Sequence, residues 1–303
     1  MVHSRRGQNP AVRSAESSLS VGAVVLTRNR QESLRRTLEA IAAQSRVPNE
    51  VIVVDNGSTD GTESMVRSMF PAVELVRSDT NVGAAGGRSR GMMVAFEHDH
   101  DAVWFVDDDT TPQPETLART LEVASRIPRL GMLGQVGGML RAGVIRHGQV
   151  GRPLESAPEA RHVDFVITDG ALVTREAYER AGTLDERYFI MMEDIDYPLR
   201  VKREGLVVAK AELGLSFHHL GATAGVRDGP SAPWRLYYQT RNHLRMALDR
   251  RSPTLVVGWL YRQVGGLLYL VRQSDRRRER LRMRLRGTID ALRNRMGEVV
   301  PPG

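Results

Sequence analysis

The chain has 303 residues, 41% hydrophobic and 26% charged, enough apolar material to bury a core in one or two domains. It has no cysteine, which excludes disulfides, thiolate metal sites and cysteine nucleophiles and suits a reducing compartment. The net charge of +7 is concentrated near the C-terminus, where ten arginines between Arg272 and Arg295 face only Asp275, Glu279 and Asp290, an excess equal to that of the whole chain. Nucleic-acid binding, which needs basic residues spread over the folded domain, is therefore not expected.

Residues 1–20 are polar, lack the apolar stretch of a signal peptide, and read as a flexible leader. VGAVVL (21–26) is a continuous apolar run, the pattern of a strand covered on both faces. Leu34, Leu38, Ile41 and Ala42 follow at helical spacing, with Pro48 beyond them. VIVV (51–54) predicts a second buried strand, a helical stretch runs through Phe70, and VELV (73–76) predicts a third. A helix around Ser89 to His98 then leads to VWFV (103–106). Strands alternating with helices at this pace predict a parallel sheet with right-handed crossovers. Further on, TDGALVTREAYERAG (168–182) reads as a strand and a short helix, and FIMM (189–192) as packing, with any exposed members able to touch an acceptor.

Ligands of such sheets bind at the carboxyl ends of the strands. Thr27, Arg28 and Asn29 follow the first strand, Asp55 and Asn56 the second, Asp79 and Asn81 the third, and Asp107, Asp108 and Asp109 the fourth. Each taken singly suits a turn or helix cap; their convergence on one rim points to a ligand. Three adjacent carboxylates are unfavourable without a positive group among them. A hard divalent cation sharing its coordination with a nucleotide diphosphate supplies one; a solvated acidic turn before Pro112 is the alternative. NVGAAGGRSRG (81–91) has no two glycines two apart and follows the third strand, so it is not a dinucleotide fingerprint. It reads as a loop whose backbone can approach a ligand and open a helix.

The series VVLTRNR, VVDNGSTDGT, NVGAAGGRSRG, VDDDTTP, MEDIDYPLR, FHHLG and YYQTRNHLR, in that order, resembles the family-2 glycosyltransferases of the GT-A fold. Within them it is most similar to bacterial rhamnosyltransferases and galactofuranosyltransferases that build cell-surface glycans. The match spans about residues 21–250, over three quarters of the chain. The resemblance implies a Rossmann-like, mostly parallel sheet flanked by helices. By motif, it places Thr27, Arg28, Asp55 and Asp79 in the nucleotide base pocket, with Asn81 and Asp108 also toward the donor. Asp107 would face the ribose or the metal, Asp109 would be the principal metal ligand, and His218 rather than His219 would complete the metal site. Asp194 falls at the position of the general base, with Glu193 beside it in the acceptor site; Gly170 and Ala171 lie beside the donor sugar, and Arg241 and Asn242 at the donor-diphosphate end. The doubled histidine, the short chain and the lack of added domains depart from the pattern of polymerising relatives.

These roles agree with the chemistry of glycosyl transfer. Mg²⁺ or Mn²⁺ on Asp107, Asp109 and His218 would neutralise a departing diphosphate. One carboxylate on the acceptor side, Asp194, implies a single displacement with inversion. Read from the residues alone, Glu193, Asp194 and Asp196 also suit an acidic helix start. The implied donor is dTDP- or UDP-linked, and the acceptor a glycan or lipid-linked saccharide.

TLVVGWLYRQVGGLLYLV (254–271) is apolar but interrupted by Arg262, Gln263 and two glycines, whereas a spanning helix needs about 20 largely uncharged residues. With RQSDRRRERLRMRLR after it, the segment reads as an interfacial helix with a basic flank for anionic lipid, Trp259, Tyr261 and Tyr269 suiting the interface. Packing on the catalytic domain or on a second copy of the chain is the alternative. The expected organisation is a leader (1–20), a GT-A catalytic domain (21–250) and basic amphipathic C-terminal helices (251–303), at the inner face of the plasma membrane. A nucleotidyltransferase would share the topology but needs a Gly-rich, Lys/Arg-bearing loop after the first strand, which LTRNRQES does not provide; a non-enzymatic basic membrane adaptor is the third reading.

Overall fold

The computed structural model describes residues 19–213, 218–219, 232–272 and 276–301; the expected leader, apart from Leu19 and Ser20, lies outside them, as do the side chains of His218 and His219. The first half alternates strand and helix: β1 (Val21–Thr27), α1 (Gln31–Ala42), β2 (Glu50–Asp55), α2 (Thr62–Met69), β3 (Glu74–Arg77), α3 (Gly83–Glu97) and β4 (Ala102–Asp107). After the short β5 (Thr110–Thr111) come α4 (Thr116–Ser125), β6 (Leu130–Gly134), the hairpin β7 (Gly137–Arg141) and β8 (Val144–His147), β9 (Pro153–Leu154), β10 (Ala157–His162), β11 (Phe165–Val166) and β12 (Leu172–Thr174). The chain continues through α5 (Arg175–Ala181), α6 (Glu193–Arg203), β13 (Val207–Ala211) and β14 (His218–His219) to three C-terminal helices, α7 (Pro233–Asp249), α8 (Pro253–Arg272) and α9 (Arg277–Leu292).

The main sheet has the order β3-β2-β1-β4-β12-β6-β13-β10-β9. Its first four strands are parallel, β12 runs antiparallel between β4 and β6, and β6 and β13 are again parallel. The apolar runs are continuous because both faces are covered. Val21, Ala23, Val25, Trp104 and Val106 pack with Leu34, Leu38 and Ile41 on one side. Val24, Val103 and Phe105 pack with Met92, Phe96 and Tyr197 on the other.

Helix α3 begins at Gly83, six residues before the expected start, so the glycine-rich segment is its first two turns rather than a loop. Close packing overrides the weak helix propensity of glycine here. A Cβ on Gly87 would fall 2.3 Å from Leu26, and one on Gly91 would fall 2.4 Å from Val24, so the helix lies directly on β1.

The C-terminal helices pack on the catalytic core. The Trp259 indole N–H donates to the Thr240 carbonyl (3.0 Å), turning this residue inward, not outward as expected, while Tyr261 and Tyr269 are exposed. A Cβ on Gly287 would stand 2.7 Å from the Tyr237 carbonyl oxygen, so α9 lies against the α7 backbone. Among the described residues no helix is long and apolar enough to cross a membrane.

Arg241 and Asn242, expected at the donor diphosphate, are instead fully buried in α7. Asn242 Nδ2 lies 3.0, 2.8 and 2.8 Å from the carbonyls of Tyr188, Ile190 and Met191, and Arg241 donates to the Tyr188 and Gly297 carbonyls while lying against the Tyr237 and Tyr238 rings. The loop they hold is strained: Phe189, Met191 and Met192 have φ of 63°, 71° and 77°, a left-handed conformation costing on the order of 1–3 kcal/mol at each such residue. Asn242→Ala is expected to lower stability by about 1–3 kcal/mol by stranding those carbonyls. Asn242→Asp, which keeps the size but offers no donor, should cost more; thermal melts of the two variants check the order.

Candidate active site

The register of the parallel strands builds the rim. Thr27 lies opposite Asp55, Asp55 opposite Arg77, and Leu26 opposite Asp107, so the carboxyl ends finish nearly level. Above them is a cleft of about 390 Å³ whose lining includes Arg28, Arg30, Arg88, Asp107, Asp108 and Arg235. Thr27, Asn56, Asn81, Phe189, Ile190 and Trp234 line it as well. Asn56 ties the end of β2 to the start of α3, donating to the Asn81 side chain (2.8 Å) and accepting from the Val82 N–H (2.8 Å). Gly83 is required there: its φ is +79°, and a Cβ would fall 2.3 Å from the Phe189 carbonyl oxygen.

Among the described residues, two arginines bring positive charge to the three aspartates. Arg30, on the turn after β1, donates to Asp108 and to Asp109, both at 2.9 Å, and Asp108 also accepts from the Thr27 hydroxyl (2.8 Å). Arg88, from α3, donates to Asp107 (2.7 Å) and reaches Glu193 on α6 (3.3 Å). Burial alone would depress the Arg88 guanidinium, but Asp107 and Glu193 outweigh it and hold it above its ordinary value. Burial pushes the Asp108 carboxyl up to about 6 in spite of Arg30 and Thr27. Asp169 braces the same turn, accepting from the Asp107 N–H (3.0 Å) and the Thr110 hydroxyl (2.9 Å); burial and then Asp107 push it up to about 7. Gly170 beside it, at φ 74°, donates its N–H to the Phe105 carbonyl on β4.

Glu193 and Asp194 open α6, where the strained loop delivers them. Glu193 is 4% exposed, and its Oε2 has no hydrogen-bond partner. Burial and then Asp194 push Glu193 up to about 8 against the pull of Arg88, and burial raises Asp194 too, against Arg88 and His147. The two carboxyls therefore titrate as a pair. Asp194 is partly exposed, with no side-chain hydrogen bond among the described residues. Asp196, two residues on, is structural: Arg250 (2.6 Å) and Arg200 (2.9 Å) bracket it.

Among the described residues no three carboxylates or histidines gather closely enough to hold a metal by themselves. Asp107 and Asp109 nevertheless offer hard oxygen ligands two residues apart, and β14 sets His218 opposite Thr111 in the backbone ladder, close to Asp109 in the chain. That donor set fits Mg²⁺ or Mn²⁺ if phosphate oxygens complete the shell.

Thr27, Arg28, Asn81, Asp107 and Asp108 thus line one cleft, with Asp109, Glu193 and Asp194 connected to it or next to it. Five expected donor residues do not line it: Gly170, Arg241 and Asn242, placed as described above, and Asp55 and Asp79. Asp55 is fully buried, accepting from Arg77 and the Ser58 N–H, and Asp79 is exposed beyond the cleft. Arg30, Arg88, Asp169, Trp234 and Arg235 were not anticipated. Arg30 and Arg88 lie inside motifs already singled out, but nothing in their spacing tells which carboxylates they reach.

The chain matches the model of Glycosyl transferase family 2 over residues 23–182, more than half its length. It is 29% identical over 244 residues to the N-acetylglucosaminyl-diphospho-decaprenol L-rhamnosyltransferase of Mycobacterium tuberculosis, covering 69% of this chain and 78% of that one. It is 30% identical over 203 residues to the galactofuranosyltransferase GlfT1 of the same organism, covering 62% and 66%. In fold it resembles the mannosyltransferase PcManGT from Pyrobaculum calidifontis, solved with GDP-Man and Mn²⁺, with a TM-score of 0.52 at 18% identity over 92% of this chain and 89% of that one. TarS of S. aureus, residues 1–349, gives a TM-score of 0.55 at 16% identity over 91% and 82%. The architecture is that of the GT-A glycosyltransferases, and the chain belongs to glycosyl transferase family 2.

Proposed function

We propose that this glycosyltransferase is inverting and metal-assisted, moving a sugar, rhamnose or galactofuranose in preference, from a dTDP- or UDP-linked donor to a hydroxyl of a glycan or lipid-linked acceptor at the inner face of the plasma membrane. The observation that carries the mechanism is the Arg88 bridge. One guanidinium joins Asp107, in the arginine-lined cleft, to Glu193, the neighbour of the candidate base. The leaving-group end and the acceptor end of a displacement therefore lie on either side of a single side chain.

Arg28, Arg30 and Arg235 suit a diphosphate, whose charge is concentrated on oxygens that guanidinium groups match. A divalent cation on Asp107 and Asp109 would add Lewis-acid neutralisation of the departing phosphate. Asp194 would take the acceptor proton, its basicity raised by burial toward the range a general base needs. The choice of sugar and of a lipid-linked acceptor is supported by what the two mycobacterial relatives are named for. Membrane association is supported by the apolar residues that α8 leaves exposed beside the basic α9.

Asp194→Asn is expected to reduce transfer by about 10²–10⁴-fold while nucleotide binding persists; a transfer assay paired with nucleotide titration reads both, and undiminished transfer would remove Asp194 from the role. NMR of the product should show the anomeric configuration opposite to that of the donor, and a retained configuration overturns the single displacement. Because both carboxyls titrate above their ordinary values, kcat/KM should climb as pH rises toward about 8 and the pair is deprotonated. Glu193→Gln removes the neighbouring charge and should shift that rise to lower pH; a profile flat from pH 5 to 8 contradicts the pairing.

A further inference from the structure

A second cationic cavity lies away from the donor cleft, between α7, α8 and α9. It is about 440 Å³ in volume, and its lining includes Gln239, Tyr261, Arg262, Tyr269, Arg280 and Arg284, with no carboxylate among the described residues. Arg262 donates to Gln239 Oε1 (2.9 Å) and Arg284 to Gln263 Oε1 (2.7 Å), so both rest on neutral amides. Among the described residues neither pairs with a carboxylate. Burial depresses both guanidiniums, and each is depressed further by the next arginine in the row, Arg262 by Arg284 and Arg284 by Arg280. The backbone makes room for this arrangement: a Cβ on Gly266 would fall 2.1 Å from the Arg284 guanidinium. Gathering like charges in a partly buried cavity is costly unless an anion completes it.

Two features define that anion. Around the cavity α8 exposes Tyr261, Val264, Leu267, Leu268 and Tyr269, from 44% to 61%, and α9 exposes Leu285 at 64%, so a hydrocarbon attached to the anion has an apolar surface to lie on. A smaller cavity of about 270 Å³ shares Tyr261 and Arg262 with the first and is also lined by His147 and His243. His147 lines this cavity together with Arg262 and is near enough to Asp194 to feel its charge. His243, 1% exposed, has neither ring nitrogen hydrogen-bonded, leaving polar atoms there for a ligand or water.

We propose that Arg262 and Arg284 bind the diphosphate of a lipid-linked acceptor, whose prenyl chain lies on the apolar face of α8 while its sugar reaches past His147 to Asp194. The site rests on the reading of the chain as a transferase to a lipid-linked acceptor and gives that acceptor two points of recognition, one at the hydroxyl and one at the phosphate.

The test is binding of geranylgeranyl diphosphate to the full chain, followed by isothermal titration. Geranylgeraniol and inorganic pyrophosphate serve as half-ligands, with phosphatidylcholine vesicles, plain or doped with phosphatidylglycerol, as the lipid-headgroup arm. The prenyl diphosphate should bind more tightly than either half-ligand, and Arg262→Gln and Arg284→Gln, on different helices, should each weaken it at least tenfold. Inorganic pyrophosphate should compete with it in the unmutated protein, a readout independent of whether a variant folds. Unchanged affinity in both variants, or no competition, overturns the site. Arginine-dependent binding to phosphatidylglycerol vesicles without arginine-dependent prenyl-diphosphate binding also overturns it, in favour of a headgroup contact. UDP and dTDP titrations keep the two readings apart. If nucleotide fails to bind while the prenyl diphosphate binds through these arginines, the donor reading fails and the site stands; if nucleotide binds normally and the variants change nothing, the reverse holds.

Discussion

Arg88 is the constraint on which the arrangement of the site depends. It is drawn from the first two turns of α3, Asp107 from the end of the next strand, β4, and Glu193 from the start of α6, far along the chain. A buried carboxylate such as Glu193 is tolerated only when paired or protonated, and here it is both partnered on one oxygen and pushed toward protonation. The bridge thereby sets two things together: where the acidic pair sits relative to the cleft, and how readily its members give up a proton. Arg30 does the corresponding work for Asp108 and Asp109. The acids at the strand tips are thus already neutralised by the protein, and a cation joining them enters an existing network of guanidinium pairs.

A second layer of the same logic runs through α7. The loop from Tyr188 to Met192 adopts backbone angles that side-chain-bearing residues avoid, and it holds them because Asn242 and Arg241 engage its carbonyls from behind while the absence of a side chain on Gly83 lets it approach α3. The C-terminal helices therefore help to shape the loop that leads into the acidic pair instead of forming a separate appendage. Binding events on α8 and α9 have a short mechanical route to the acidic pair, because α9 rests directly on the helix that grips the loop.

Much of this was legible from sequence where one physical cause dominates. Runs such as VGAVVL and VWFV give strands because burial on both faces leaves no room for polar alternation, and the acids at their ends give the rim because parallel strands in register finish together. What stayed illegible depended on which side chain crosses to which. Arg30 and Arg88 were visible as letters within recognised motifs, yet their partners lie from about 20 to more than 100 residues away. Arg241 and Asn242 matched a motif attributed to the donor end, but a motif does not report which way a helix faces, and both point into the core. The early start of α3 was hidden because glycine signals a loop by propensity, whereas contact with β1 decides the outcome. The rim position of Asp55 was legible, but not that Arg77 and Ser58 would absorb its carboxylate.

The contact between α3 and β1 has a consequence for how the protein can change. Gly87 and Gly91 set the depth at which the helix seats on the strand, and Arg88 rides on it between them. A methyl group added at either glycine would lift the whole helix by a fraction of an ångström, and with it the guanidinium that joins Asp107 to Glu193. Selection on this enzyme's chemistry would then be felt at residues that contain no functional group, and divergence of donor preference would have to proceed through the loops around the helix while its seat stays fixed.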